Sequence, residues 1–506
     1  MDQIIVETMK KIAFIAIGLL LNVPLMGQSK KATLPNIIYI LADDLGYGDV
    51  SINNPNGKIK TPNIDQIAIQ GMRFTDAHSA SGVCTPTRYA ILTGRYPFRS
   101  KLPVGVLRGY SRSLIENDQQ TVAKLLSQAG YSTGVIGKWH LGVDWTLLPG
   151  NEALLNQKDF GIKSELNPEI IDFTQGATAG PKTAGFDYSY ILPASLDMPP
   201  YLYLENQKVE EQPTAYTPGN KMEKGYSGPF WREGKMSPSF DFHQVLPRFI
   251  EKANHFISSQ KNDKPFFLYL PLAAPHTPWM PNPEYIGKSG AGEYGDFVQQ
   301  VDASVGAILK QLEKQGIAKN TIVIFASDNG PYWRSDYIER FNHKSAGEFR
   351  GMKGDAFEGG HRIPFFVRWP AQVKPNSISN VTTSLANLLA TCSDLTGIKA
   401  TSEDTYSIMP ILKSQTKEIK GQPGIVISSS IGYLTIRKGD WKLIEGLGSG
   451  GFTEPQKIEQ SKQEVNGQLF NLKTDPKEEH DLFESNKEKV LELRTLLKEI
   501  KDYKKR

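Results

Sequence analysis

The chain of 506 residues carries 58 Lys and Arg against 54 Asp and Glu, a net charge of +4, with 39% hydrophobic and 22% charged residues. These proportions describe a packed soluble protein and exclude bulk disorder, collagen and a polytopic membrane protein; the small, evenly spread charge speaks against a nucleic-acid partner. Two cysteines, Cys84 and Cys392, exclude a disulfide scaffold.

Near the start, Lys10 and Lys11 precede the apolar stretch 12–21, with small residues near Gly27. This is the pattern of a secretory signal, expected over 1–27, with Met9 as a start that puts the charges in front. The stretch is shorter than the ~20 apolar residues of a spanning helix. Export to the periplasm or exterior follows, with no stable membrane anchor after cleavage.

The apolar runs 36–42 (NIIYILA), 132–136 (STGVI), 265–272 (PFFLYLPL), 321–326 (TIVIFA) and 364–369 (PFFVRW) do not alternate, so they read as buried parallel strands. Helical periodicity lies between them, at 121–129 and 297–315. The expected fold is α/β: a large mixed, mostly parallel sheet flanked by helices, in a domain over 33–400. Segment 145–241, rich in Pro, Gly, Tyr and Asn, reads as inserted loops. Past 400, short strands at 424–428, 433–437 and 441–444 lead to an amphipathic helix carrying Val490, Leu493, Leu497 and Ile500. A smaller α+β subdomain is expected over 401–506. The GxGxxG match at Gly446, Gly448 and Gly451 has no following helix and reads as a hairpin loop.

Ligands in an open parallel sheet gather beyond the carboxyl ends of its strands. Here those ends lead into Asp43-Asp44, Gly137-Lys138-Trp139-His140, Pro275-His276-Thr277-Pro278 and Asp328-Asn329-Gly330. Asp43, Asp44, Asp328 and Asn329 offer only oxygen, a donor set for Ca²⁺ or Mg²⁺ that leans to calcium. Pro86 suits a helix's first turn, which puts Cys84 at the positive end with Arg88 one turn on. Position 84 is then either a stabilised thiolate or a buried cysteine beside a cap.

Cys84-Thr-Pro86-Thr-Arg88 followed by Leu92-Thr93-Gly94-Arg95 resembles the signature of type I sulfatases, in the alkaline phosphatase superfamily. The resemblance continues in order through the strand-end clusters, then Arg350-Gly-Met-Lys353 to Glu358-Gly-Gly-His361-Arg362, and Gln468 to Pro476 in the tail. It implies an alkaline-phosphatase-like fold and a formylglycine nucleophile made from Cys84 by a formylglycine-generating or anaerobic sulfatase-maturating enzyme. It also implies a metal held by Asp43, Asp44, Asp328, Asn329 and residue 84. By the same resemblance Arg88 holds the modified side chain, His140 contacts its diol, Lys138 and Lys353 grip sulfate, and His276 protonates the leaving alcohol. Met352 stands where the family more often has glycine.

Anionic ester chemistry independently calls for such a set of cations and a proton donor. The expected substrate is a sulfated carbohydrate, since the aromatic, polar loops suit sugars better than a small aryl ester. Two other readings share the residues: a phosphodiesterase or phosphonate monoester hydrolase of the same superfamily, and a non-catalytic carbohydrate-binding protein with unmodified Cys84. Among the remaining residues, Tyr332, Trp333, Arg334 and His343 are expected at the pocket rim as substrate contacts. His361 is expected to sit behind the site, and His78, His243, His255 and His480 to be structural or exposed.

Overall fold

In the first apolar run every residue except Asn36 is buried, which requires cover on both faces of the strand. A computed structural model, which describes residues 34–157, 159–161, 164–220, 228–261, 264–459 and 466–504, supplies that cover. The expected signal segment 1–27 lies outside the described residues. Ten strands form the central sheet: β1 (Asn36–Ala42), β2 (Met72–Phe74), β3 (Ser132–Lys138), β4 (Tyr188–Leu192), β5 (Leu204–Glu205), β6 (Lys208–Val209), β7 (Phe266–Pro271), β8 (Thr321–Ser327), β9 (Phe365–Arg368) and β10 (Ser377–Ser379). Their spatial order is β10-β2-β9-β8-β1-β7-β3-β4-β5-β6.

Strands β8, β1, β7, β3 and β4 run parallel, with Ile38 of β1 level with Leu268 and Val323 on its two neighbours. The flanking pairs β8–β9 and β4–β5 are antiparallel, so the sheet is mixed with a parallel centre. Helices α1 (Pro62–Ile69), α2 (Cys84–Thr93), α3 (Val122–Gln128), α4 (Val245–Ser259), α5 (Gly292–Lys314) and α6 (Leu388–Thr396) cover it. Ile38 and Ile40 pack with residues of α1, α4 and α5, whereas Ile37 and Tyr39 point to the other face, towards Leu388 and Cys392 of α6. Both cysteines are unpaired, and Cys392 serves that apolar packing.

Segment 145–241 departs from the expectation of loops alone. It contributes β4 to the parallel centre and the β5–β6 hairpin to one edge. Tyr188–Leu192 (YSYIL) is five residues long and set among Pro and Gly, too short for its periodicity to stand out. Near the C-terminus, β11 (Ile425–Ser428), β12 (Leu434–Lys438), β13 (Trp441–Ile444) and β14 (Gln468–Asn471) form an antiparallel meander. Helix α7 (Lys487–Asp502) lays Val490, Leu493, Leu497 and Ile500 on it, together with Ala90 and Tyr96 from the main body. Contacts join residues 35–506 in one unit.

Because the central strands are parallel, their carboxyl ends share one edge. Asp43-Asp44 follows β1, Lys138 ends β3, the loop bearing His276 follows β7, and Asp328-Asn329 follows β8.

Candidate active site

Cys84 opens α2 as its first residue, and the whole helix is buried beneath the strand ends. Its Sγ lies 3.7 Å from Asp43 Oδ1. One turn on, Arg88 is fully buried; its Nε and Nη2 donate to Asp328 Oδ2 at 3.0 and 2.7 Å, and its Nη1 donates to the Lys138 carbonyl at 2.9 Å. Lys138 Nζ donates to Asp43 Oδ2 at 2.6 Å and to Ser195 Oγ at 3.0 Å. Lys353 Nζ reaches Asp44 Oδ2 at 2.6 Å. Three cations therefore stand among three carboxylates, each of them buried.

Electrostatics distinguish these acids. Burial alone would raise the Asp43 carboxyl, but Lys138, His276 and Arg88 hold it well below the usual range. Burial and the charge of Asp43 push Asp328 up to about 6 despite Arg88. A buried carboxyl with so high a value marks a place where further positive charge is welcome. Asn329 donates from Nδ2 to Asp44 Oδ1 at 2.7 Å, while its Oδ1 is buried without a hydrogen-bond partner. Asp43, Asp44, Cys84 and His276 each present a ligand atom within 4.8 Å of the others. An orphaned amide oxygen beside three carboxylates fits a hard divalent cation.

The Cys84 thiol is not the stabilised thiolate that its helix position suggested. Burial pushes it far above the ordinary range, and the helix terminus does not overcome that. His140 adopts a left-handed backbone (φ 54°), and burial, with Lys138 and Arg88 nearby, keeps its imidazole neutral. Its Nε2 contacts the Leu107 carbonyl at 2.8 Å and so carries the proton. Nδ1, which has no partner, is left as an acceptor beside the cavity. His276 places Nδ1 at 2.6 Å from the Thr277 carbonyl and 3.3 Å from Ser195 Oγ, with Nε2 turned towards Asp44 at 3.6 Å.

Of these groups Asp44, Cys84, His140, His276 and Lys353 line a cavity of about 290 Å³ that reaches outwards to Trp279, Tyr332, Phe230 and Arg232. Every catalytic or metal-binding candidate named from the sequence lies in this cluster. Of the expected rim contacts, Trp333, Arg334 and His343 do not. Trp333 is 4% exposed and packed 4.9 Å from Tyr294 and 5.3 Å from Tyr337, its Nε1 donating to the His343 carbonyl. His343 is buried against Asp49 Oδ1 at 2.7 Å. Arg334 turns to Asp336 beside it, at 2.9 and 3.0 Å. Of that segment Tyr332 faces the cavity, because neighbouring residues in an irregular strand-to-helix turn point different ways. His361 lies in a different buried cluster, with His78, Glu358 and Lys442.

Sequence reading missed Ser195, Asp197, Phe230 and Arg232, all within 145–241, where no periodic pattern draws attention. It also missed Phe452, which a glycine-rich loop brings to the cavity wall. A Cβ on Gly451 would lie 2.2 Å from Gly354, so glycine there lets the loop press against the segment bearing Lys353.

Buried cations and oxygen donors converging on one strand edge, above a helix that begins with the candidate nucleophile, define a hydrolytic centre for an anionic ester. The Sulfatase family model matches residues 35–147 and 175–398, and the chain belongs to that family. It is 34% identical to an N-acetylgalactosamine-6-O-sulfatase of Bacteroides thetaiotaomicron over 92% of this chain and 93% of the relative. Human arylsulfatase A is 32% identical, over 75% of this chain and 68% of the relative. A solved B. thetaiotaomicron structure, described under the metabolism of multiple glycosaminoglycans, superposes with a TM-score of 0.78 at 32% identity, covering 93% of this chain and 100% of that one. The protein is a sulfuric ester hydrolase. Among the described residues no helix is long and apolar enough to cross a membrane.

Proposed function

We propose that the protein removes a sulfate monoester from a carbohydrate, with residue 84 as formylglycine and calcium held by Asp43, Asp44, Asp328 and Asn329. The observation that carries this reading is the position of Cys84, at the floor of the cavity and ringed by Asp43, Lys138, Lys353 and Arg88. The hydrated aldehyde made from Cys84 supplies the attacking oxygen and, through its second hydroxyl, a way to release sulfate afterwards. Calcium supplies charge that offsets the incoming ester and the carboxylates around it.

The chain's own side chains do the rest. Lys138 and Lys353 bind sulfate oxygens as charge builds on them. His140, neutral with Nδ1 open, accepts a proton from the hydroxyl at residue 84. Arg88 holds Asp328 and the backbone at Lys138, so the helix start and two strand ends keep a fixed geometry. His276 directs Nε2 into the cavity; as the imidazolium, with Nδ1 donating to the Thr277 carbonyl and Nε2 carrying the second proton, it gives that proton to the departing alcohol and is left neutral. The substrate to try first is N-acetylgalactosamine 6-sulfate, the sugar in the name of the B. thetaiotaomicron relative. Lys353 and Trp279 of the cavity suit an anionic sugar. A periplasmic or secreted location and a maturating enzyme that oxidises Cys84 belong to the same reading.

Mass spectrometry of the peptide containing residue 84, from protein matured in its native host, tests the nucleophile. Formylglycine there, with turnover of the sugar sulfate that EDTA removes and Ca²⁺ restores, is the expected result. An unmodified cysteine in fully active protein sinks it.

A further inference from the structure

A second groove, of about 460 Å³, adjoins the catalytic cavity; Met198, Phe230 and Arg232 line both. Its volume falls within the ~300–1,000 Å³ of small-molecule sites. Arg232 is the divider. Its Nη1 is held by the carboxylate and the carbonyl of Asp197, and its guanidinium lies 5.1 Å from the centre of the Phe230 ring. This anchored residue therefore borders both the catalytic cavity, which His276 also lines, and the groove.

The far wall mixes donors, acceptors and rings. Arg108 and Glu165 stand 3.8 Å apart, with side chains 36% and 18% exposed, loose enough to exchange each other for a ligand. Tyr110 and Trp231 add aromatic surface, and Trp231 is fixed by its Nε1 donating to Thr217 Oγ1 at 3.0 Å. Asn220 adds an amide. Arginines balanced by Glu165 and Glu233 give the groove no strong net charge, so it does not select a simple ion. Hydroxyl groups, which both donate and accept, and C–H faces, which lie on aromatic rings, match it.

We propose that this groove is a saccharide subsite that receives the sugar joined to the sulfated one, with Arg232 reading the junction. The inference rests on the sulfatase reading above and extends it: the enzyme prefers its sulfate on an oligosaccharide. Lys353, Phe230 and Arg232 line one cavity and Phe230 and Arg232 continue into the groove, so a sugar whose sulfate sits at Lys353 has a route for its glycosidic bond past Phe230 into the groove.

The test compares kcat/KM on 4-methylumbelliferyl sulfate, N-acetylgalactosamine 6-sulfate, and two disaccharides carrying a uronic acid at O3 or at the anomeric carbon of that sugar. Wild type is expected to favour at least one disaccharide over the monosaccharide by about tenfold or more, mainly through KM. Arg108→Ala and Glu165→Gln, the latter keeping an acceptor for the Tyr110 amide, are each expected to shrink that ratio by about tenfold. A disaccharide no better than the monosaccharide, or variants that leave the ratio unchanged, overturns the subsite and leaves the sulfatase reading standing. Turnover of the aryl sulfate with neither sugar accepted overturns the subsite and the sugar assignment together. A matured wild type inert on all the esters overturns the sulfatase reading itself.

Discussion

Two buried ionic clusters lie in this molecule, built from similar parts for different ends. At the strand edge Asp43, Asp44 and Asp328 meet Arg88, Lys138 and Lys353. Between the main body and the C-terminal meander Asp76, Glu358 and Glu478 meet Arg362, Arg437 and Lys442. The first opens on a cavity and keeps Asn329 Oδ1 and His140 Nδ1 without partners. The second is threaded by a chain of hydrogen bonds. Lys442 Nζ meets His361 Nε2 at 3.1 Å, the two Nδ1 atoms of His361 and His78 meet at 3.0 Å, and His78 Nε2 meets Asp76 Oδ1 at 2.7 Å. Each neutral imidazole in that chain accepts on one nitrogen and donates on the other, so both rings are satisfied; Arg437 Nε is left without a hydrogen-bond partner, but this cluster does not line the catalytic cavity. Asp328 in the first is raised to about 6, while Arg437 and Lys442 hold Glu358, otherwise raised by burial, well below its usual value. Buried charge alone therefore does not mark a site; unspent valence facing a cavity does.

The strongest break in the comparison is Cys84→Ala. It removes the proposed nucleophile without touching an ion pair, so activity is expected to fall by about 10⁴-fold or more with thermal unfolding unchanged. Turnover within tenfold of wild type refutes the role of residue 84. Asp328→Asn comes next. It keeps shape but weakens the proposed divalent-ion ligand and the partner of Arg88, with an expected loss of ~10²–10³-fold in kcat/KM. Metal content measured by mass spectrometry is expected to fall in parallel; unchanged metal content means the ion lies elsewhere.

Glu358→Gln inverts the pattern. It leaves Arg437 and Lys442 buried with one carboxylate fewer, a change worth about 3–5 kcal/mol of stability. The urea midpoint is expected to drop while kcat per folded molecule stays within twofold. Loss of kcat with an unaltered midpoint makes this cluster part of the catalytic machinery instead.

The sequence exposed the first cluster well and the second hardly at all. Asp43-Asp44 and Asp328-Asn329 end long apolar runs, so chain position alone predicts where they meet, and the Cys84–Arg95 motif tells what chemistry they share. His78, Glu358 and Lys442 lie far apart in the chain, and their union depends on how the meander docks, which no local pattern encodes. The rim fails for a related reason. Trp333 and His343 follow the metal pair closely, yet nearness in sequence does not fix direction, and both side chains turn inward to Tyr294 and Asp49. Asp197 and Arg232 meet the substrate cavity from a segment whose composition reads only as loop.

The smallest expected effect sharpens the second cluster through its pH response. Burial lowers the pKa of His78, and burial with Lys442 beside it lowers that of His361 still further, so both are neutral in the fold. In the unfolded chain each titrates near ~6.5. Below that pH the unfolded chain binds protons that the folded chain refuses, so this stability is fully present above ~6.5 and is lost as pH falls towards the folded values. Each histidine adds a slope of up to about 1.4 kcal/mol per pH unit in that window. Glu478, raised by burial and by the charge of Glu358, acts in the opposite sense only as the carboxylate range is approached. The urea midpoint of wild type is therefore expected to fall between pH 7 and 5.5, and His78→Gln, which removes one titrating ring, is expected to show a shallower fall over the same interval. Equal slopes in both proteins mean that His78 titrates alike folded and unfolded, and that the hydrogen-bonded chain from Lys442 to Asp76 does not hold its proton count fixed.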